Sequence, residues 1–249
     1  MIEKSLDVLK PLETFDKEVF IGNDEYSQDF CNFVLTLSLI WNDLKNLMVF
    51  LDHLRSIEPQ NIVIKDPKDM PITPKWGEIS GVKIYIEKLF IALMHELFKL
   101  IRESKDIIDS KNFRDLYKQL SKDCRIAWDI LLEYAHEKSR SDTDLGKALL
   151  MVRHKITNHY DKNEIFKGYK RKFITHAHIP YISRGGNMLE QRFYFADAAA
   201  QDFYLNFQEK VTAEIFYENI NIIKESINFA IKDIVIKFIQ RRSAWKRVT

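Results

Sequence analysis

Between residues 26 and 55 the apolar positions fall at Phe30, Phe33, Val34, Leu37, Ile40, Trp41, Leu44, Leu47, Met48, Leu51 and Leu54. This is the three-and-four spacing of an amphipathic helix, held for about eight turns. Asn23 or Asp24 is placed to cap its start. Similar stripes predict helices over 82–103 (Val82, Ile86, Leu89, Phe90, Leu93, Leu97) and over 112–138 (Phe113, Leu116, Leu120, Cys124, Ala127, Trp128, Leu131). A further helix is expected from Leu145, with Ser141, Asp142 or Asp144 as its cap, and one or two long helices over 198–240.

Two stretches break this rhythm. Residues 56–81 carry Pro59, Pro67, Pro71 and Pro74 with Gly77 and Gly81, and read as a long connection in which Ile62 to Ile64 forms a short extended piece. Residues 171–182 are rich in β-branched and aromatic side chains. They are followed by a turn signal at Gly185-Gly186-Asn187 and a second apolar run at 191–195. This predicts a β-hairpin insertion over 169–196. The expected fold class is therefore mainly α: a bundle of four to five long helices in one domain, 1–249, ending in a basic tail over 241–249.

Composition narrows the function classes. Seven glycines and six prolines are too few for an all-β protein built on tight turns. The formal net charge is +2, so an argument for nucleic acid must come from a local patch. Cys31 and Cys124 stand far apart on apolar helix faces, which predicts free thiols rather than a disulfide framework. The first residues lack an apolar signal core, and no run reaches the ~18 uninterrupted apolar residues of a spanning segment. A cytoplasmic protein without a membrane partner is expected.

The densest polar chemistry lies at Arg153, His154, Lys155, Thr157, Asn158, His159, Tyr160 and Asp161, at the end of the apolar helix that begins at Leu145. A histidine moves protons near neutral pH. An arginine fork holds phosphate oxygens and stabilises the charge of a pentacovalent phosphorus. Together they suffice to cleave RNA without a metal. On a straight helix Arg153 and His159 are separated by about 240°. Convergence therefore needs the helix to end or distort near Thr157–Asn158, or needs a dimer. An alternative reading is structural, with cations favouring a helix C-terminus and Asn158 closing it.

Arg153-His154-Lys155-Ile156-Thr157-Asn158-His159 resembles the signature of the HEPN superfamily: Arg, then four to six residues, then His, with Asn, Asp or His favoured after the Arg. The resemblance implies a HEPN-like helical bundle that forms a homodimer with two motifs in one cleft. It implies a metal-independent endoribonuclease that needs no cofactor and acts in toxin–antitoxin or anti-phage defence, with an antitoxin protein as a further partner. It makes Arg153 and His159 catalytic and His154 a supporting polar residue, with Asn158 helping to orient the pair. The alternative on the same fold is a catalytically inactive interaction or nucleic-acid-binding protein. A second match, Arg171 to His176, falls in the stretch read as strand and lacks the polar residue favoured after the Arg, so it is set aside.

RNA is the expected partner. Lys155 lies within the motif and Tyr160 directly after it, and Lys170, Arg171 and Lys172 follow, interleaved with Phe166, Tyr169 and Phe173. Cations hold phosphates, and aromatic faces stack on unpaired bases. His176 and His178 would share one face of a strand, a spacing that metals use, but no third ligand is evident. There is no Gly-rich phosphate loop, nucleophile elbow or CxxC pair.

Overall fold

A computed structural model describes residues 13–57, 73–151, 162–176, 178, 180, 182, 184, 186–187, 192–206, 213–243 and 246–247. The described chain is mainly helical. In order it forms strand β1 (Glu13–Thr14), a short 3-10 turn (Lys17–Phe20), α1 (Gln28–Ile57), α2 (Pro74–Glu103), α3 (Lys105–Ile108), α4 (Lys111–Tyr117) and α5 (Lys122–Glu133). Then come α6 (Asp144–Met151), α7 (Lys162–Tyr169), α8 (Tyr194–Asn206), α9 (Ala213–Ser226), α10 (Lys232–Arg242) and strand β2 (Lys246–Arg247). Three π-helical turns, Tyr134–Lys138, Lys170–Thr175 and Ile227–Ile231, extend α5, α7 and α9. The chain divides into two compact units. One holds Met1–Asn46, Leu93–Lys147 and Glu214–Thr249, and the other holds Leu47–Ala92 and Ala148–Ala213.

The first unit is organised around aromatic packing. Phe238 on α10 is fully buried. Its ring centroid lies 5.6 Å from Phe20, 5.4 Å from Tyr26 and 5.7 Å from Phe30. Phe30 continues to Phe113 at 6.3 Å, and Phe113 to Trp128 at 5.3 Å. The stripe on α1 supplies Phe30, Cys31, Phe33, Val34, Leu37, Ile40 and Leu44 as buried residues, as its periodicity predicts. Helix α1 is long and apolar enough by composition to cross a membrane. Cys31 and Cys124 are free and buried, as expected.

The start of the basic tail has a structural role. Arg242 donates to the Val19 carbonyl at 2.6 Å, the Ile21 carbonyl at 2.9 Å and Cys31 Sγ at 3.0 Å. Its guanidinium lies over the rings of Tyr26 and Phe238. A planar five-donor fork can satisfy several carbonyls and stack on aromatic faces at once, as a lysine could not. Beyond it, Lys246 and Arg247 pair antiparallel with Thr14 and Glu13.

Several expected boundaries move, each for a local reason. Ser27, not Asn23 or Asp24, caps α1, its Oγ accepting from the Phe30 N–H at 3.2 Å. Asn23 instead closes its own turn by accepting from Glu25 and Tyr26. Thr143, rather than Ser141, Asp142 or Asp144, caps α6, its Oγ1 accepting from the Gly146 N–H at 3.0 Å. The helix expected over 112–138 is interrupted. Ser121 caps a new start at α5 by accepting from Cys124, and its own N–H reaches Asp233 Oδ2 at 3.4 Å. The helix expected from 82 begins at Pro74. Thr73 Oγ1 caps it, and proline takes the first helical position, where no N–H is needed. The rest of the connection, 58–72, including Ile62 to Ile64, lies outside the described residues.

The stretch expected as a hairpin, 169–196, is helical at both of its described ends, and its turn at 185 and the residues 188–191 lie outside the described residues. Lys162–Tyr169 is α-helical, Lys170–Thr175 continues it as a π-turn, and Tyr194–Asn206 is an α-helix. The sequence holds the physical reason. Ile165, Tyr169 and Phe173 repeat every four residues and pack inward, with Tyr169 and Phe173 centroids 4.9 Å apart. The run Ala198-Ala199-Ala200 has high helix propensity and pulls the second apolar stretch into α8. Helix α7 packs along α8, and this contact overrides the strand preference of the aromatic residues.

Candidate nucleic-acid interface

Helix α6 leads the chain into the Arg–His segment. Leu145 and Leu149 bury its apolar side. Thr143 Oγ1 also lies 2.6 Å from the Lys138 carbonyl and 2.8 Å from that of Arg140, so the cap ties α6 to the end of the preceding π-turn. Gly146 is required there by space. A Cβ at this position would sit inside contact distance of the Arg140 carbonyl oxygen and 2.7 Å from the Ser139 carbonyl carbon. A glycine-to-alanine change inside a helix ordinarily stabilises by about 0.5–1 kcal/mol. Gly146→Ala should instead destabilise by about 1–3 kcal/mol, because backbone rather than a flexible side-chain tip blocks the methyl. The sign of the change in urea midpoint decides the matter, and a stabilised variant would contradict this packing.

The motif residues Arg153, His154, Lys155, Asn158, His159 and Tyr160 lie outside the described residues, between the end of α6 and the start of α7. The structure does describe the three cations placed after them. Lys170 is exposed, and Lys172 is half-buried. Arg171 is engaged internally, its Nε donating to Asp202 Oδ2 at 3.0 Å while Asp202 is itself buried. A paired guanidinium is a weaker phosphate ligand than an unengaged one, so Arg171 serves α7–α8 packing first.

His176 is exposed at the end of the π-turn, and its N–H donates to the Arg171 carbonyl at 2.9 Å. His176 and His178 therefore do not occupy one strand face, and the metal-spacing argument for them lapses. Among the described residues no group of three or more His, Cys, Asp or Glu could hold a metal ion. The His176 N–H bond to the Arg171 carbonyl closes the π-turn through the backbone alone, while the Arg171 side chain is held by Asp202.

Elsewhere in the second unit, a polar seam joins α2 to α8. Arg192 donates to Glu78 Oε1 at 2.6 Å and to Asp197 Oδ2 at 3.0 Å. Its guanidinium passes where Gly81 leaves room, and the Tyr194 ring sits over Gly77 with its hydroxyl donating to the Pro74 carbonyl at 3.0 Å. Burial pushes the Lys88 ammonium below its usual pKa, against the opposing pull of Asp197. Burial also raises the Glu87 carboxyl, which Lys83 partly offsets. The sequence signal for this seam was the Gly77, Gly81 and Lys88 spacing of four and seven on one helix face. In the first unit an open cleft of about 300 Å³ is lined by Lys105, Ile108, Asp109, Leu132 and His136.

No family model, no curated protein and no solved structure matches this chain.

Proposed function

We propose that the protein is a metal-independent endoribonuclease of HEPN type, working as a cytoplasmic homodimer in toxin–antitoxin or anti-phage defence. The observation that carries this reading is the Arg153-His154-…-Asn158-His159 arrangement, entered from an amphipathic helix in a mainly helical protein and followed directly by the cation-rich helix α7. Arg153 holds the scissile phosphate and stabilises the charge that builds on it. His159 transfers the proton as the ribose 2′-OH attacks its own phosphate or as the 5′-oxygen leaves. His154 and Asn158 orient the pair. Lys155, Tyr160, Lys170 and Lys172 hold the RNA, with Arg171 contributing only through the exposed part of its paired guanidinium. No cofactor is needed, and an antitoxin protein is a natural further partner.

RNA cleavage by purified wild-type protein and by His159→Ala, each with EDTA present, tests this. Cleavage by wild type alone, leaving cyclic-phosphate ends, is the expected result. Equal cleavage by both would remove His159 from the mechanism, and no cleavage by wild type would favour the non-catalytic interaction protein.

A further inference from the structure

The outer face of α7 and its π-turn carries an unusual combination. Asn163, Phe166, Lys167, Lys170 and Ile174 are all exposed, and their helical spacing puts them within one arc of the surface. Phe166 is 63 % exposed and Ile174 66 %. The opposite side is spent on packing, since Gly168 and Phe173 are buried. Between Lys162 and His176 the chain has five Lys or Arg residues against one acid, Glu164, in a protein that is otherwise near neutrality. One of the five, Arg171, is offset by Asp202.

We propose that this face is a stacking platform for single-stranded RNA, with an unpaired base on the Phe166 ring and Lys170 on the adjoining phosphate. The proposal rests on the ribonuclease reading above and names the form of RNA that reading takes. An exposed phenyl ring offers a flat apolar face at a helix surface. Stacking needs no particular base, and a flanking cation tracks the backbone. In an A-form duplex the base faces are already covered, so the ring has nothing to stack on. A membrane surface fits less well. Helices that lie on bilayers keep a continuous apolar face with cations on the opposite side, whereas here Lys170 sits between Phe166 and Ile174 on the same line. The apolar side chains are separated by charge, which suits a polymer that alternates bases with phosphates.

The test uses the full-length protein and a fluorescein-labelled 12-nucleotide 2′-O-methyl oligoadenylate, which binds without being cleaved. Anisotropy titrations at two salt concentrations compare wild type with Phe166→Ala, Phe166→Trp and Lys170→Ser. Wild type should bind the single strand and discriminate against its duplex. Phe166→Ala should weaken binding about tenfold or more, and Phe166→Trp should restore it, which a merely structural phenylalanine would not do. Lys170→Ser should weaken binding and reduce the slope of log K against log salt by about 0.7, the share of one phosphate contact. The proposal is overturned if wild type ignores the oligonucleotide, binds the duplex equally well, or binds phosphatidylcholine–phosphatidylglycerol vesicles instead. Unchanged affinity in Phe166→Ala would also overturn it. Failure of the nuclease reading is separate and visible, since cleavable RNA would then stay intact while the uncleavable strand is still bound and still senses Phe166.

Discussion

His159→Ala should slow RNA cleavage by about 100- to 10,000-fold, the range for removing a positioned general acid or base. The loss should fall on kcat, because the imidazole acts on the proton in flight rather than on the bound ground state. Arg153→Ala should cost at least as much, since it removes charge stabilisation in the transition state. Arg153→Lys should recover only part of the activity, because an ammonium lacks the bidentate fork. EDTA should leave wild-type turnover unchanged. His176→Ala is the informative companion. It is exposed, and its backbone N–H donates to the Arg171 carbonyl at the end of the π-turn. If His176→Ala abolishes cleavage while His159→Ala does not, the chemistry belongs to the second Arg–His pair. Near-wild-type cleavage by His176→Ala keeps it at Arg153–His159.

Phe238→Ala should cost about 3–5 kcal/mol in urea unfolding, the largest effect expected of any single change in the described core. Phe238 has no exposed surface, and it is the ring to which Phe20, Tyr26 and Phe30 all pack within 6 Å. Removing it leaves a cavity bounded by the 3-10 turn, the start of α1 and the end of α10. These segments come from opposite ends of the chain and cannot close together without disturbing the Arg242 contacts to Val19 and Ile21. A protein with about 5–15 kcal/mol of total stability would lose a large fraction of it. Phe229→Ala is the matched control, because Phe229 is 47 % exposed and should cost under about 1 kcal/mol. Similar losses for the two variants would contradict this account of the core.

The predictions differ in how much of their basis the sequence alone supplies. Helix α1 was readable almost to its ends, because thirty residues of three-and-four spacing leave no competing period. The free, buried cysteines were readable from their places on apolar stripes. The helices over 198–240 were readable in kind, although α8 begins earlier, at Tyr194. The helical ends of the stretch 169–196 show where two local signals disagree. Aromatic and β-branched content favours strand, while the four-residue repeat Ile165–Tyr169–Phe173 and the alanine run after Phe195 carry the stronger helix signal.

The Arg–His motif belongs wholly to the sequence, as do the mainly helical class and the cluster of cations that follows the motif. Only the tertiary structure decided what those cations do. Arg171 is held by the buried Asp202, Lys170 is left at the surface, and Phe166 is turned outward although its hydrophobicity alone would place it in a core. Likewise, Arg242 looked like one charge in a solubilising tail until its partners were in view, a set drawn from residues more than two hundred positions away. The physical reason is the same in each case. Periodicity and propensity are local, so they determine which face of a helix is apolar. Which charge is paired, which ring is buried and which is left for a ligand depend on distant segments that no local pattern contains.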